Sequence, residues 1–383
     1  MTNPAPSAAP AFKYKRLEAG DPAPWFRQRC TSNEDYSFDT AGGRYIVLCF
    51  FVSAGTETGQ NMLKILKENR ALFNDKKIAF FGISNDANDE KEKRVVEEMP
   101  GIRHFWDLNG EVSRLYGSAP IDVPPGVRNL TLRHVWFVLD PTMRVRRVFT
   151  GSGDGSERHD VAAYLKTLPD VNSYPGFEVQ APVFILPDVF EPEFCQHLIS
   201  LYLADGGTDS GFMREKDGIT VSAKDYSHKR RSDYEIVDED LKKVIQGKIQ
   251  RRIVPEILKV HQYQVTRMER YLVGCYDSAT KDHFRAHRDN TTKGTAHRRF
   301  AVSINLNADF EGGEVSFPEY GPKSFKPPVG GACVFSCSLL HEVSRVTAGK
   351  RYAFLPFLYD DAAARLREKN AGFLADGGDY RFS

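Results

Sequence analysis

The chain has 383 residues, which is more than one compact hydrophobic core usually serves, so two domains are the starting expectation. Hydrophobic residues make up 41% and charged residues 27%, as in an ordinary soluble globular protein. Lysine and arginine number 52 against 51 acidic residues, so the net charge of +1 gives no general attraction to nucleic acid or to an anionic membrane.

The first segment, MTNPAPSAAPAF, is rich in proline and alanine and has neither a basic start nor a continuous apolar run. We therefore expect residues 1–15 to form a disordered tail rather than a signal peptide. No stretch of the sequence reaches the roughly 18 apolar residues that a membrane-spanning helix needs. The six cysteines are scattered without a CxxC pair, which is typical of a protein of the reducing cytoplasm.

Residues 16–168 alternate between strand patterns and helix patterns. The apolar runs RYIVLCFFV, KKIAFFGISND and RHVWFVLDP predict three buried strands. A helix is predicted after the first of these runs, and the segment DVAAYLKTL predicts a closing helix. This alternation indicates a mostly parallel or mixed α/β sheet, in the order of a thioredoxin-like domain.

Residues 169–182 are the predicted linker, because this region is rich in proline and shows no periodicity. The pattern starts again at residue 183 with a strand and an amphipathic helix. A long helix follows over about 238–263, and Pro255 should kink or split it. From Arg267 to Tyr359 short strands separated by turn signals predominate, which predicts an all-β sandwich or barrel.

The segment HFRAHRDNTTKG places His287 and Asp289 two residues apart. In an extended chain these two side chains point to the same side, so an imidazole and a carboxylate could face one metal ion. The pattern alone leaves open that both are solvated loop residues. Downstream, His341 follows an apolar strand, and Arg351 starts the next strand. Two histidines and one carboxylate can form a facial triad on non-haem Fe(II), and an arginine can clamp a carboxylate.

Together, HRD (287–289), GGEVSF (312–317), His341 and Arg351 resemble the Fe(II)/2-oxoglutarate-dependent dioxygenases of the prolyl 4-hydroxylase-like branch. The resemblance covers about 183–360, and it implies that residues 183–383 form an α+β domain with a double-stranded β-helix, or jelly roll. It further implies that His287, Asp289 and His341 ligate Fe(II) and that Arg351 pairs with the distal carboxylate of 2-oxoglutarate.

The same resemblance extends to two further residues and to a reaction. Tyr271 would contact the same carboxylate, although a strand aromatic that fills the barrel is an equally good interpretation. Asn305 would lie in the barrel interior, but its strand could also turn it outward. The implied co-substrates are 2-oxoglutarate and dioxygen, with ascorbate as a candidate reductant. The implied reaction hydroxylates a C–H bond of an amino-acid, peptidyl or small-molecule substrate and releases succinate and carbon dioxide, with desaturation and ring formation left open.

The first domain resembles a peroxiredoxin-type thioredoxin fold in AGDPAPWF, YIVLCFFVSAGTETG and WFVLDPTMRVRRVF. Peroxiredoxins place a nucleophilic cysteine at the start of the helix after the first central strand, where the helix dipole lowers its pKa. The equivalent positions here are near Gly59 and Gln60, and neither is a thiol. We therefore expect a redox-inactive scaffold that serves dimerisation or substrate docking.

Two other functions stay open at this point. One is a thiol peroxidase that uses a displaced cysteine, Cys49 or Cys30, and the other is a non-catalytic binding module. The basic segment SHKRRSDYEIVD contains Arg230 and Arg231, which could receive a substrate carboxylate or an acidic partner, or could lie in a solvated loop. We expect a cytoplasmic enzyme that pairs as a homodimer through its first domain and binds neither nucleic acid nor membrane.

Overall fold

The computed structural model describes residues 12–122 and 131–375. The chain divides into two compact units, one comprising Met1–Val179 and Glu319–Gly321 and the other comprising Gln180–Pro318 and Pro322–Ser383. The predicted division into two domains is thereby confirmed. Most of the predicted tail lies outside the described residues, but Tyr14 forms a bridge with Pro120 and so packs on the first unit.

The first unit contains a mixed sheet with short helices between its strands. Its strands are β1 (Arg27–Cys30), β2 (Asn33–Ser37), β3 (Tyr45–Val52), β4 (Ile78–Ser84), β5 (Ile102–Trp106), β6 (Val135–Leu139) and β7 (Val145–Thr150). Its helices are α1 (Glu57–Glu68), α2 (Ala87–Lys91), α3 (Glu111–Leu115) and α4 (Arg158–Lys166). The three strands and two helices predicted from the sequence are all present.

The strand order is β2-β1-β5-β4-β3-β6-β7. β3 and β4 pair in parallel, as do β4 and β5, whereas β6 pairs antiparallel with β3 and with β7. Alternate residues of β3 belong to two different hydrophobic clusters. Val47 and Cys49 lie in one cluster, and Leu48 and Phe50 lie in the other. The central strand is therefore covered on both faces, which explains why its sequence is continuously apolar.

The second unit is rich in short strands. They are β8 (Phe184–Leu186), β9 (Thr208–Asp209), β10 (Phe212–Lys216), β11 (Ile219–Ala223), β12 (Lys229–Arg230), β13 (Ser232–Glu235), β14 (Arg267–Glu269), β15 (Leu272–Asp277), β16 (His283–His287), β17 (Phe300–Asn305), β18 (Phe310–Gly312), β19 (Val315–Ser316), β20 (Ser324–Phe325), β21 (Ala332–Ser336), β22 (His341–Val343), β23 (Val346–Phe354) and β24 (Phe357–Tyr359). Its helices are α5 (Pro192–Asp205), α6 (Glu239–Arg252), α7 (Val254–His261) and α8 (Asp361–Asn370).

Two facing antiparallel sheets and a separate two-stranded antiparallel sheet, β10-β11, make up this unit in the described ranges. The larger sheet has the order β14-β24-β17-β23-β15-β13-β9, with β18, β21 and β8 attached beside this path. The smaller sheet has the order β12-β16-β22-β19-β20. Side chains from both sheets line one internal cavity, as expected for two facing sheets of a jelly roll. The prediction of a sheet-rich, jelly-roll-type second domain is confirmed.

Helices α5, α6 and α7 pack on one face of the larger sheet. Ile245, Ile249, Ile253 and Ile257 lie in the same hydrophobic cluster as alternate residues of β15, β17 and β23. The long predicted helix is split into α6 and α7 at Ile253, directly before the turn that contains Pro255. Of the helices in the described ranges, none combines the length and apolar character needed to cross a membrane.

Candidate metal centre

Two neighbouring strands of the smaller sheet bring the predicted histidines together. β16 ends at His287, β22 begins at His341, and the two residues lie opposite each other in the antiparallel ladder. Side chains opposite each other in such a pair have Cβ atoms about 5 Å apart. Asp289 follows β16 by two residues, and its backbone N–H donates to the carbonyl of Cys337 at 2.9 Å, which fixes the loop that carries the carboxylate.

The three side chains converge on one point. The Nε2 atom of His287 lies 3.6 Å from Oδ1 of Asp289, and the Nε2 atom of His341 lies 3.3 Å from Oδ2 of the same carboxylate. One ligand atom from each of the three residues lies within 4.8 Å of the others. Ligands held about 2.1 Å from an ion and at right angles to each other are about 3 Å apart, so this spacing suits a metal.

Hydrogen bonds to the backbone select the imidazole tautomer that binds metals. Nδ1 of His287 lies 2.7 Å from the carbonyl oxygen of Arg285, and Nδ1 of His341 lies 3.0 Å from that of Leu339. A carbonyl oxygen only accepts, so each Nδ1 must carry the proton and donate it. Each Nε2 therefore presents its lone pair toward Asp289, which is the arrangement found in metal-ligating histidines.

The electrostatics of the cluster favour the forms that coordinate a cation. Burial, together with the neighbouring ring of His341, lowers the pKa of His287 to about 4, so its imidazole is neutral at physiological pH. Burial opposes ionisation of Asp289, but positive charge on His341 and His287 when these rings are protonated, together with the guanidinium of Arg298, holds the pKa of this carboxyl well below its usual range. A neutral imidazole beside a carboxylate is the donor set that a divalent cation requires.

Arg351 points a partly unpaired guanidinium into the same cavity. Its side chain is 1% exposed, its Nε donates to Oδ1 of Asn305 at 3.1 Å, and its Nη2 donates to the hydroxyl of Ser303 at 2.7 Å. Its Nη1 is buried and has no hydrogen-bond partner within the described ranges. A buried, unpaired charged donor is costly, so this nitrogen indicates an anionic ligand.

The Gly-Gly turn of the sequence motif makes room for this arginine. Gly313 has a φ of +64°, in the left-handed region that favours glycine. A Cβ atom at this position would lie 2.8 Å from Cγ2 of Val346 and 3.2 Å from Cδ of Arg351. The glycine therefore lets the turn approach the strand that carries Arg351.

Apart from Arg231, Arg270 and Tyr276, the rest of the cavity wall is mainly apolar. The ring of Phe284 stacks on that of His287 with 3.5 Å between centroids, and the ring of Phe335 lies 4.7 Å from that of His341. The remaining apolar walls come from Val315, Val343, Leu355 and Phe357. Such a lining excludes water from the polar groups at its centre and strengthens their electrostatic interactions.

The structure places Tyr271 away from this cavity. Its hydroxyl accepts a hydrogen bond from Gln246, and its ring lies in the same hydrophobic cluster as Val273 and Cys275. This position agrees with the alternative interpretation of a strand aromatic in the core, not with a contact to the co-substrate. Tyr276 lines the cavity instead, with its ring 5.5 Å from Cζ of Arg351. Tyr271 directly precedes β15 and Tyr276 lies within it, and side chains five residues apart point to opposite faces of an extended chain.

Asn305 faces Arg351 without lining the cavity. It accepts from Nε of the arginine, and its own amide donates to the carbonyl of Pro327 at 2.8 Å. The residue therefore orients the arginine rather than contacting a ligand. Ser303 plays the same part from the next inward position of β17 and was missed in the sequence, because a serine in an apolar strand gives no signal of its own.

The first unit presents no exposed thiol at the peroxiredoxin position. Helix α1 is capped by Thr56, whose hydroxyl accepts from the N–H of Gly59 at 3.1 Å. Cys49 is fully buried in β3, and burial raises its pKa well above the usual value. All six cysteines, including Cys30, are buried. A buried thiol is poorly accessible to a substrate, so these positions do not favour the peroxidase alternative.

Comparisons with known proteins agree with this geometry. Residues 270–359 match the model of the 2OG-Fe(II) oxygenase superfamily, and residues 19–148 match the model of the AhpC/TSA family. No curated protein was found to match the sequence.

Similar solved structures include proteins of both kinds. A Trichoplax adhaerens prolyl hydroxylase in complex with a hypoxia inducible factor peptide fragment is 18% identical, with a TM-score of 0.40, over 48% of this chain and 86% of that one. A viral collagen prolyl hydroxylase from Paramecium bursaria Chlorella virus-1 is 16% identical, with a TM-score of 0.34, over 47% and 96%. The peroxidoxin BcpB of Mycobacterium tuberculosis is 19% identical, with a TM-score of 0.35, over 40% and 100%.

The two domains are assigned from these family models, which match the segments that contain the sequence motifs. The chain therefore carries a 2OG-Fe(II) oxygenase domain in its C-terminal half and an AhpC/TSA domain in its N-terminal half.

Proposed function

We propose that the protein hydroxylates a C–H bond of an amino-acid, peptidyl or small-molecule substrate, with 2-oxoglutarate converted to succinate and carbon dioxide. One observation carries the proposal. The His287, Asp289 and His341 cluster and the unpaired Nη1 of Arg351 line a single, mainly apolar cavity within an oxygenase domain.

The donor atoms fit the groups that this chemistry requires. Two imidazoles and one carboxylate fit Fe(II) and leave part of its coordination sphere to other ligands. The orphaned donor of Arg351 fits one carboxylate of 2-oxoglutarate, because a guanidinium can hold a carboxylate through two parallel hydrogen bonds. When bound, Fe(II) together with 2-oxoglutarate and dioxygen supplies the oxidising chemistry.

The residues of the chain bind, orient and exclude water. His287 and His341 are held in position by their Nδ1 hydrogen bonds, so their Nε2 atoms need no reorganisation when the metal binds. Asn305 and Ser303 hold the guanidinium of Arg351 so that its remaining donor faces the cavity. The rings of Phe284 and Phe335 cover the histidines and keep solvent from the reacting groups.

We further propose that the first domain is a scaffold without thiol chemistry of its own and that two chains form a homodimer through it. We also propose that the protein acts in the cytoplasm. The buried state of Cys49 and Cys30 supports the absence of peroxide chemistry.

Release of succinate from 2-oxoglutarate tests the proposed function. The purified chain with Fe(II) and oxygen should release succinate even without a primary substrate, slowly, and His287→Ala should abolish this release. A matched control is His283→Ala, since His283 lies on the same strand but binds the backbone of Lys281 and Ser227 instead of the cluster. Equal succinate release by the wild type and His287→Ala would contradict the proposal.

A further inference from the structure

A second group of charged side chains lines the cavity that holds the metal-ligand cluster. Arg231 and Arg270 both belong to its wall. Arg231 is 5% exposed and is held by Asp233 through two hydrogen bonds, Nε to Oδ1 and Nη2 to Oδ2, both of 2.6 Å. The expectation of a solvated loop is therefore wrong for Arg231. Arg230, whose side chain is 42% exposed, lies outside this wall.

Tyr276 lies next to both Arg231 and Arg351. The Cζ atom of Arg231 lies 5.7 Å from the centre of the tyrosine ring, and that of Arg351 lies 5.5 Å from it. Nη1 of Arg231 also lies 3.4 Å from the tyrosine hydroxyl. The cavity thus holds Arg231 and Arg270 in addition to Arg351, and Arg351 is the one assigned to 2-oxoglutarate.

Arg270 is the cation of this group with the fewest partners. Its Nη2 lies 3.6 Å from Oδ2 of Asp233, an oxygen that already accepts from Arg231 at 2.6 Å and from Ser210 at 2.5 Å. Its guanidinium also lies 5.6 Å from the ring centre of Phe357. Its backbone has a φ of +68°, which is strained for a non-glycine residue and is maintained at this wall of the cavity.

Among the guanidiniums that line the cavity, Arg270 has the weakest ion pair. The guanidiniums are those of Arg231, Arg270 and Arg351, and the nearby carboxylates are those of Asp289 and Asp233. Bound Fe(II) and the 2-oxoglutarate dianion would cancel each other, so these three guanidiniums face two carboxylates, and the buried amine of Lys229 beside Phe284 adds no negative charge. Asp233 accepts two hydrogen bonds of 2.6 Å from Arg231 and lies 3.6 Å from Arg270, so once Arg351 holds 2-oxoglutarate the charge of Arg270 is the least compensated of the three.

We infer that the primary substrate carries a carboxylate that Arg270 binds, with Arg231 beside it as a second cation. The inference rests on the proposed function and specifies its substrate class. A guanidinium has the fork geometry of a carboxylate partner, and of the three guanidiniums that line the cavity Arg231 is held by Asp233 and Arg351 is assigned to 2-oxoglutarate. The carboxylate can come from a free amino acid or chain terminus, or from an acidic side chain.

Binding of small probes to the anaerobic Fe(II) and 2-oxoglutarate complex tests the inference. The readout is the change in the visible metal-to-ligand charge-transfer band as the probe approaches the iron. The probes are N-acetylglycine, its amide N-acetylglycinamide, and N-acetylaspartic acid with its α-carboxyl blocked as the amide. Arg270→Gln is compared with Arg267→Gln, because Arg267 is exposed and pairs with Asp361 on the surface.

For the wild type and Arg267→Gln, one of the two carboxylate probes should bind roughly 10- to 100-fold more tightly than N-acetylglycinamide, as expected for a hydrogen bond between charged groups. Arg270→Gln should lose this preference. The better of the two carboxylates identifies whether a terminus or a side chain is recognised.

Three outcomes would overturn the inference: equal binding of carboxylates and amide by the wild type, no band change with any probe, or an unchanged preference in Arg270→Gln. Absence of the band from the wild-type complex before any probe is added would overturn the proposed function, and the inference with it. A normal band without carboxylate preference would overturn the inference alone.

Discussion

Replacement of Arg351 by glutamine should separate co-substrate binding from folding stability. The wild-type guanidinium is buried with one nitrogen unpaired, and leaving such a group unsatisfied costs about 1–3 kcal/mol. Glutamine removes that cost and can still donate to Oδ1 of Asn305, which avoids a new orphaned acceptor. We therefore expect the unfolding free energy of Arg351→Gln, without ligands, to stay within about 1 kcal/mol of the wild type or to rise.

Binding of 2-oxoglutarate should fall sharply in the same variant. A hydrogen bond to a charged group contributes about 1.5–3 kcal/mol, so the loss of one weakens binding roughly 10- to 150-fold. The assay is thermal unfolding with Mn(II), at increasing concentrations of 2-oxoglutarate, since a ligand that binds the folded state raises the midpoint. Arg267→Gln is the charge-matched control. An unchanged 2-oxoglutarate dependence in Arg351→Gln, or a drop in its unfolding free energy of more than about 3 kcal/mol without ligand, would contradict the role assigned to Arg351.

Further substitutions test other parts of the structure. Tyr276→Leu should weaken 2-oxoglutarate binding roughly 2- to 30-fold, because the contact between the tyrosine ring and Arg351 is lost. Tyr271→Phe should leave 2-oxoglutarate binding unchanged, since Tyr271 contacts Gln246 instead. The thermal titration with 2-oxoglutarate measures both effects. Gly313→Ala should lower both stability and 2-oxoglutarate affinity, since its Cβ would lie 2.8 Å from Val346; wild-type behaviour would contradict the proposed packing. Burial lowers the pKa of His104 from 6.5 to about 4, so the folded state binds a proton less readily than the unfolded state. The unfolding free energy should therefore be highest above pH 6.5 and fall by up to about 3 kcal/mol toward pH 4. Denaturant unfolding should show a smaller fall for His104→Leu than for the wild type.

The sequence was most informative where one physical pattern dominated. The continuous apolar run at 44–52 predicts β3 because a strand covered on both faces has no polar side. Pro255 correctly predicts the break between α6 and α7, because proline lacks the N–H that a helix interior requires. His287, Asp289 and His341 were predicted as a group through motif and resemblance, and the structure brings them together.

Residues defined by strand parity and register were harder to predict. To predict that Tyr276, and not Tyr271, lines the cavity, the first residue of β15 must be known to within one position. A shift of one residue would exchange the two faces of the strand. Burial of Arg231 depends on its pairing with Asp233 and on space beside Gly274, where a Cβ would lie 3.1 Å from Cδ of Arg231. Arg270 gave no sequence signal, since its position at the cavity follows from a left-handed backbone conformation.

The proposed site holds one Fe(II) between His287, Asp289 and His341, with 2-oxoglutarate beside Arg351. Anaerobic titration of the wild-type chain with Fe(II) in the presence of 2-oxoglutarate measures its occupancy through the visible charge-transfer band. We expect a band that saturates at one iron per chain and is absent from Asp289→Ala and His341→Ala. No band in the folded wild type, or a band of full intensity in both variants, would contradict the proposed site.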